Sequence, residues 1–183
     1  NDIATGNEDQ NISIAAIQSN DLANGGSLVL STIDLNTIIP GFQSTFTSPN
    51  GQWSVDYFTG NVLFVPNLNY NGIETISYTI NNSLGQTSNS AQISATITSI
   101  NDAPITNSNY ISITEDAGLQ SGNILSNGDY DVENTPLACT ILPIVNASNG
   151  VFTIATNGSF TYTPNGNYFG TDMVVISVCD NGA

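Results

Sequence analysis

The 183-residue sequence has no lysine, no arginine and no histidine, set against 15 aspartates and glutamates, for a formal charge of −15. Each absence removes a class of function. Nucleic-acid binding needs cations that displace phosphate counterions, and attraction to anionic lipid needs them too. Neither a nucleic acid nor a membrane surface is therefore an expected partner. Without these side chains there is no Ser-His-Asp triad, no Schiff base, no arginine finger and no histidine-ligated metal. Apolar runs approaching the ~18 residues of a membrane span are missing, so direct membrane insertion is not expected. Helical periodicity is missing as well, because no stretch holds a 3.6-residue apolar repeat. Salt bridges cannot support this fold, which leaves burial and backbone pairing to hold it. Acids that cluster must find cations from outside the chain.

What is present is a 39% hydrophobic fraction, enough to fill two modest cores, in a length that suits one large domain or two small ones. The chain starts at Asn1 and stops at Ala183 in mid-pattern, and reads as a fragment of something longer. Its clearest internal feature is a phrase used twice. "VPNLNYNGIET" from Val65 lies on "YTPNGNYFGTD" from Tyr162, matching Pro66 to Pro164, Asn69 to Asn167, Tyr70 to Tyr168 and Gly72 to Gly170 at a constant offset of 98. "NEDQNISI" from Asn7 matches "TEDAGLQS" from Thr114 at an offset of 107, so the first copy carries about nine extra residues. "STIDLNTIIPGFQSTF" is the expected place for them, since insertions collect in loops.

Between these landmarks the segments read as strands. "NVLFV", "SFTYT", "TISYTI" and "MVVISV" alternate apolar and polar residues. "SLVLSTI", "SAQISATITSI", "NYISIT", "LACTIL" and "GVFTI" are short, β-branched and bounded by Gly, Asn and Pro. Such a pattern predicts one antiparallel sandwich per copy, residues 1–100 and 101–183, divided at "TSINDAPIT". Within the shared phrase, proline ends a strand, the asparagines cap the turn and glycine supplies positive φ. The Tyr70 and Tyr168 rings are expected to cover the sandwich ends.

"INDAP", "EDAG", "NGDYDVEN", "NGSFTYTPNGNYFGTD" and "VVISVCDNG" together resemble the bacterial cadherin-like repeats of very large surface adhesins. The last of these is similar to versions common in Bacteroidetes, including the mobile adhesins of gliding flavobacteria. The resemblance spans nearly the whole chain. It implies two tandem Greek-key β-sandwiches of the cadherin/Ig-like kind, seven-stranded, with the second lacking its last strand. It also implies an extracellular location, cell-surface or secreted, and Ca²⁺ at the junction of the repeats. Carried over by motif, the metal ligands are Glu8 and Glu74 from the first copy, Asn101 and Asp102 from the linker, and Asp129, Asp131 and Asp180 from the second. Oxygen donors of this kind suit Ca²⁺ better than Mg²⁺. At ~5.5 Å and an effective dielectric near 20, each close carboxylate pair repels by about 3 kcal/mol, so the acids either splay apart or bind a divalent cation. The competing reading is that they only solubilise loop ends. The first copy's own top is poorer in acids, with Asn82 in the place of Asp180 and Asp21 in the place of Asp129 and Asp131. Glu115 and Asp172 repeat Glu8 and Glu74 and form at most a partial site.

Two cysteines, Cys139 and Cys179, fall in the second copy. A bridge between them is open, as is a partner for Cys179 beyond Ala183; strand parity turns Cys139 inward. No enzymatic role is expected, Asp56 beside Trp53 and Tyr57 being the best carboxylate–aromatic neighbourhood. The expected function is a Ca²⁺-stiffened stalk or spacer in cell adhesion, whose partners are neighbouring repeats of the same chain. The alternatives are a module that itself binds surface glycans or proteins, and an accessory domain of a secreted hydrolase. A binder would present Trp53, Tyr57 or Phe58 to solvent; a spacer would not.

Overall fold

The computed structural model describes residues 1–180. The chain forms two compact units, Asn1–Ile100 and Asn101–Ala183. Among the described residues all regular structure is strand except two short 3-10 turns, and no helix is long and apolar enough to cross a membrane.

Unit 1 contains β1 (Asp2–Asn7), β2 (Ile12–Ile14), β3 (Leu28–Asp34), β4 (Thr45–Ser48), β5 (Gly51–Val55), β6 (Val62–Pro66), β7 (Gly72–Asn82) and β8 (Ala91–Thr98). They form two sheets, ordered β1-β8-β7-β3 and β2-β6-β5-β4. Period-two alternation decides which side chains go in: Val62 and Phe64 are buried, while Leu63 and Val65 between them are exposed. Ile12, Ile14, Trp53, Val55 and Phe64 from one sheet meet Ile33, Ile76, Tyr78, Ile80, Ile93 and Ile97 from the other in a single core. Trp53 is fully buried, its ring 4.4 Å from that of Phe64. Tyr78 carries a hydroxyl into this core and donates to Asp21 Oδ2 at 2.8 Å and the Ile17 carbonyl at 3.2 Å. Burial first, then the Asp21 carboxylate, pushes its hydroxyl far above the usual tyrosine range.

The residue pattern predicts an antiparallel sandwich and the resemblance implies seven strands; unit 1 differs in one respect. Its first strand is broken at Glu8–Gln10, so that β1 runs parallel to β8 in one sheet and β2 runs antiparallel to β6 in the other. The break is made by Asp9, whose φ is 58°. The nine extra residues form the loop that follows β3 and leads to β4.

Unit 2 contains β9 (Gln120–Asn123), β10 (Ala138–Cys139), β11 (Gly150–Ile154), β12 (Ser159–Pro164) and β13 (Val178–Cys179). β11, β12 and β9 form one sheet; β10 and β13 form the other, continued by a Val145–Val175 bridge. β11 and β12 repeat β5 and β6, and Phe152 faces Tyr162 where Trp53 faces Phe64. Gly51 and Gly150 repeat too: a Cβ at the first would strike the Val65 carbonyl and the Phe64 ring, and one at the second the Thr163 carbonyl and the Tyr162 ring. "NYISIT", expected as a strand, is unpaired, with no backbone–backbone hydrogen bond at residues 111–113 among the described residues. By the 107-residue offset it corresponds to β1, whose partner is β8, and no described strand of unit 2 takes the place of β8. Among its described residues Cys139 and Tyr162 are the buried apolar side chains, and Ile111, Ile113, Phe152, Val174 and Ile176 line a cavity of about 830 Å³.

The repeated phrase has a more specific role than turn chemistry alone. Asn69 and Asn167 both sit at φ 58°. Their backbone N–H groups donate to Asp9 Oδ1 and Asp116 Oδ1, each at 2.8 Å, and these aspartates are themselves left-handed at 58° and 56°. Two turns 60 and 51 residues apart are thus clamped together in the same way in both units. The Tyr168 hydroxyl donates to the Thr171 carbonyl at 2.8 Å, and Tyr70 packs against the unit 1 core.

Replacing Asp9 by Ala is expected to lower the stability of unit 1, and Asp116→Ala that of unit 2, each by about 1–3 kcal/mol for a charge-assisted bond. Differential scanning calorimetry would show each variant shifting a single one of two transitions. Trp53→Ala is expected to cost about 3–5 kcal/mol, and Phe152→Ala measurably less, because its surroundings are already open.

Candidate functional site

The two unit 1 acids singled out by sequence are both buried, at 3% exposure for Glu8 and 9% for Glu74. Glu8 follows directly on β1; its N–H donates to the Thr98 carbonyl and its Oε1 accepts from the Ile100 N–H. Its second oxygen, Oε2, is buried with no hydrogen-bond donor. Glu74, in β7, accepts from Asn50 Nδ2 at 2.8 Å. Burial, with Glu74 close by, raises the hydroxyl of Tyr70 above its ordinary value.

In unit 2 the segment that opens the unit meets the residue that follows β13. Asn101 donates from Nδ2 to Asp180 Oδ1 at 3.1 Å, and the Asp102 N–H donates to Glu133 Oε2 at 3.0 Å. Asp131 is 3% exposed. Its Oδ1 accepts from the Thr135 N–H at 2.9 Å, closing the "DVENT" turn, while Oδ2 is buried without a donor. Glu133 Oε1 is in the same condition. Asp129 has a different neighbourhood: it accepts from the Asn107 N–H at 2.7 Å and contributes to raising the Cys139 thiol, after burial and the Cys179 sulfur. Glu115 is exposed, unlike its counterpart Glu8.

Asn101, Asp102 and Asp180 are therefore joined through hydrogen bonds, with Glu133 added to them. Glu133 escaped the sequence reading although it lies two residues after Asp131 in "DYDVEN"; that i, i+2 spacing was the available signal. Among the described residues no group of three or more Asp, Glu or Cys side chains lies close enough to hold a metal ion. What the arrangement offers instead is anionic oxygen without a proton donor, at Glu8, Asp131 and Glu133, in a chain that encodes no cation. Burying an ionised carboxylate oxygen unpaired is costly.

The aromatic platform is dismantled by the fold. Trp53 is in the core, and Tyr57 is part-buried with its hydroxyl donating to the Ile33 carbonyl at 3.0 Å. Phe58 alone is exposed, at 91%. Asp56 is committed to its own turn, accepting from Thr59 Oγ1 and from the Phe58 N–H; these bonds, the Thr59 hydroxyl foremost, hold its carboxyl below the usual range. Cys139 and Cys179 are free thiols on facing strands. Ala138 stands opposite Cys179 and Val178 opposite Cys139, so the two sulfurs leave opposite faces of the sheet.

The bacterial Ig domain family model matches residues 1–97, and the bacterial cadherin-like domain family model matches residues 101–183. Among solved structures the chain is similar to the human desmocollin-1 ectodomain, at 12% identity and a TM-score of 0.49, over 99% of this chain and 33% of that one. It is similar to Drosophila N-cadherin EC1-4 at 14% identity and a TM-score of 0.49, over 97% of this chain and 46% of that one. An endo-fucoidan hydrolase of glycoside hydrolase family 107 is similar at 12% identity and a TM-score of 0.37, over 99% and 26%. The chain thus spans less than half the length of each, and likeness at this level says nothing of function. No match was found among curated proteins.

Asp172, the counterpart of Glu74, supplies a pH test. Burial raises its carboxyl, but the Ser148, Asn149 and Met173 N–H groups and the Tyr162 hydroxyl outweigh burial and leave it below its ordinary value. A folded-state pKa below the unfolded value, about 3.9, gives stability that is present above that pH and lost on acidification through the folded value. The unit 2 melting transition is expected to fall below about pH 4. Asp172→Asn is expected to lower it at pH 7 and flatten its acid limb.

Proposed function

The chain belongs to the bacterial Ig domain family over residues 1–97 and to the bacterial cadherin-like domain family over residues 101–183, and on that premise we propose that it is a repeat segment of a large bacterial cell-surface adhesin, an extracellular stalk or spacer stiffened by Ca²⁺. The observation that carries this reading is the set of buried carboxylate oxygens that no N–H or O–H reaches: Glu8 Oε2 in unit 1, Asp131 Oδ2 and Glu133 Oε1 in unit 2. Hard anionic oxygens, supplemented by the Asn101 amide and by Asp102, Asp180 and Glu74, are the donor chemistry of Ca²⁺. Ca²⁺ bound in each unit neutralises these oxygens and fixes the turns that carry them; Glu8, next to the Asp9 clamp, offers its oxygen from a rigid position in unit 1, and Asp131, closing its own turn, does so in unit 2. Asp129, turned to Asn107, would join only after a change of rotamer.

Of the three aromatics that would mark a binder, Phe58 is exposed at 91% and the other two favour a spacer. Trp53 and Tyr57 are occupied by the core and by a backbone carbonyl, so Phe58 forms no platform with them. A catalytic role finds no support either, because Asp56 is consumed by its turn. Gliding motility is one setting for such a stalk.

Ca²⁺ at about a hundredfold its dissociation constant is expected to add roughly 2.7 kcal/mol, a rise on the order of 10 °C for units of this size. Chelator is expected to reverse it, and Mg²⁺ to give much less. Glu8→Gln keeps the bond from Ile100, and Asp131→Asn the bond from Thr135. Each is expected to raise the metal-free melting temperature of its own unit while removing that unit's response to Ca²⁺. Calorimetry showing the same two transitions with Ca²⁺ as with chelator would refute the reading.

A further inference from the structure

Eight Asn-Gly steps occur in the chain, seven of them among the described residues. At such a step the backbone nitrogen after the asparagine carries no Cβ neighbour and can reach the asparagine Cγ. Ring closure requires the intervening peptide unit to rotate, so a fold that bonds this unit slows the reaction by the cost of local opening. Six of the seven steps are held in this way. Asn50 donates from Nδ2 to Glu74 Oε2 at 2.8 Å, and Gly51 is packed against the Val65 carbonyl. Gly72 pairs with Ile97 at the start of β7. The Asn127 amide donates to two carbonyls, and the Asn149 and Asn165 carbonyls each accept a backbone N–H. Gly158 donates to the Ala155 carbonyl.

Asn24 is different. It is exposed and left-handed at φ 48°, followed by Gly25 at φ 105°. Among the described residues neither takes part in a hydrogen bond, and a Cβ placed on Gly25 would meet nothing within 4 Å. The loop is anchored on both sides of this step. Tyr78 donates to Asp21, Asn82 Nδ2 donates to the Ala23 carbonyl at 2.9 Å, and the Ser27 N–H donates to Ser83 Oγ at 3.2 Å. An unbonded step thus lies between fixed flanks.

We propose that Asn24 is a self-modification site, converted in the folded protein to aspartate and isoaspartate. The Gly25 nitrogen gives up its proton and bonds to Asn24 Cγ; the Cγ–Nδ2 bond breaks, and the amide nitrogen leaves as ammonia after taking a proton from water. Water then opens the succinimide ring at either carbonyl. One opening restores the original backbone as aspartate, and the other routes the backbone through the side chain as isoaspartate. One water enters, one ammonia leaves, and nothing is oxidised. The chain has no His, Lys or Arg to serve as base, so hydroxide removes the proton and the rate rises with pH. The extra backbone atom of isoaspartate is absorbed between the anchors at Ala23 and Ser27. The product sets a new carboxylate three residues from Asp21, in the loop that Asn82 holds.

The test incubates the 183-residue protein, folded and in urea, at neutral and at alkaline pH, followed by cleavage after aspartate and mass spectrometry. Residues 22–34 contain Asn24 and no other amide side chain, and residues 35–56 contain Asn50. In urea both fragments are expected to gain the mass of an amide-to-acid change at similar rates. In the folded protein the Asn24 fragment is expected to keep its urea rate, while the Asn50 fragment slows by about tenfold or more. Isoaspartate resists the cleavage and leaves residues 22–34 whole, whereas aspartate adds a cut at residue 24. Asn24→Gln, which closes a larger ring far more slowly, is expected to remove the mass gain from that fragment. Equal slowing of both fragments on folding overturns the proposal. So does a faster reaction at any other Asn-Gly step of the folded protein, or an Asn24 rate that does not rise with pH.

Discussion

Carboxylates in this molecule are stabilised by neutral donors, because the chain has no cation to offer them. Backbone N–H groups take that part. Asp9 and Asp116 accept from Asn69 and Asn167, Asp34 from Asn36 and Gln43, Asp129 from Asn107, Asp131 from Thr135, and Asp172 from three residues at once. Each such bond fixes a turn, so satisfying the charge and shaping the loop are one event. The acids are therefore structural before they are anything else. Their distribution along the sequence marks where loops are pinned.

The supply of neutral donors runs out at a few oxygens, on Glu8, Asp131 and Glu133. A surface carboxylate without a partner is solvated and costs nothing. A buried one costs free energy unless a counter-ion joins it, and the counter-ion must come from solution. Buried polar groups that the fold leaves unsatisfied are where structure and function separate. Here two of the three, Glu8 and Asp131, are residues that a cadherin-like reading of the sequence assigns to metal.

β8 is what closes unit 1. It completes a sheet, seals the core and, at its end, brings the Ile100 N–H to Glu8. Where it is present, Glu8 is buried and fifteen apolar side chains form one core. Where no described strand plays its part, Glu115 is exposed, the β1 counterpart is unpaired, and the apolar residues around Phe152 and Ile176 surround a cavity.

Alternation in "NVLFV" and "TISYTI" settled strand type and facing, and the twofold phrase settled the repeat, because period-two patterning and turn residues act within a few positions. Asn69, Gly72 and their counterparts were legible for the same reason: positive φ is a local demand. Which acid meets which donor was not legible, since Asp9 finds Asn69 across sixty residues and Glu133 finds Asp102 across thirty-one. The break of the first strand into β1 and β2, the burial of Trp53 and the separation of Cys139 from Cys179 were decided by pairing between distant strands. Sequence alone fixed the kinds of element and the total charge. Tertiary structure alone chose which carboxylate oxygens would be buried without a hydrogen-bond donor, because that depends on packing between segments that are remote along the chain.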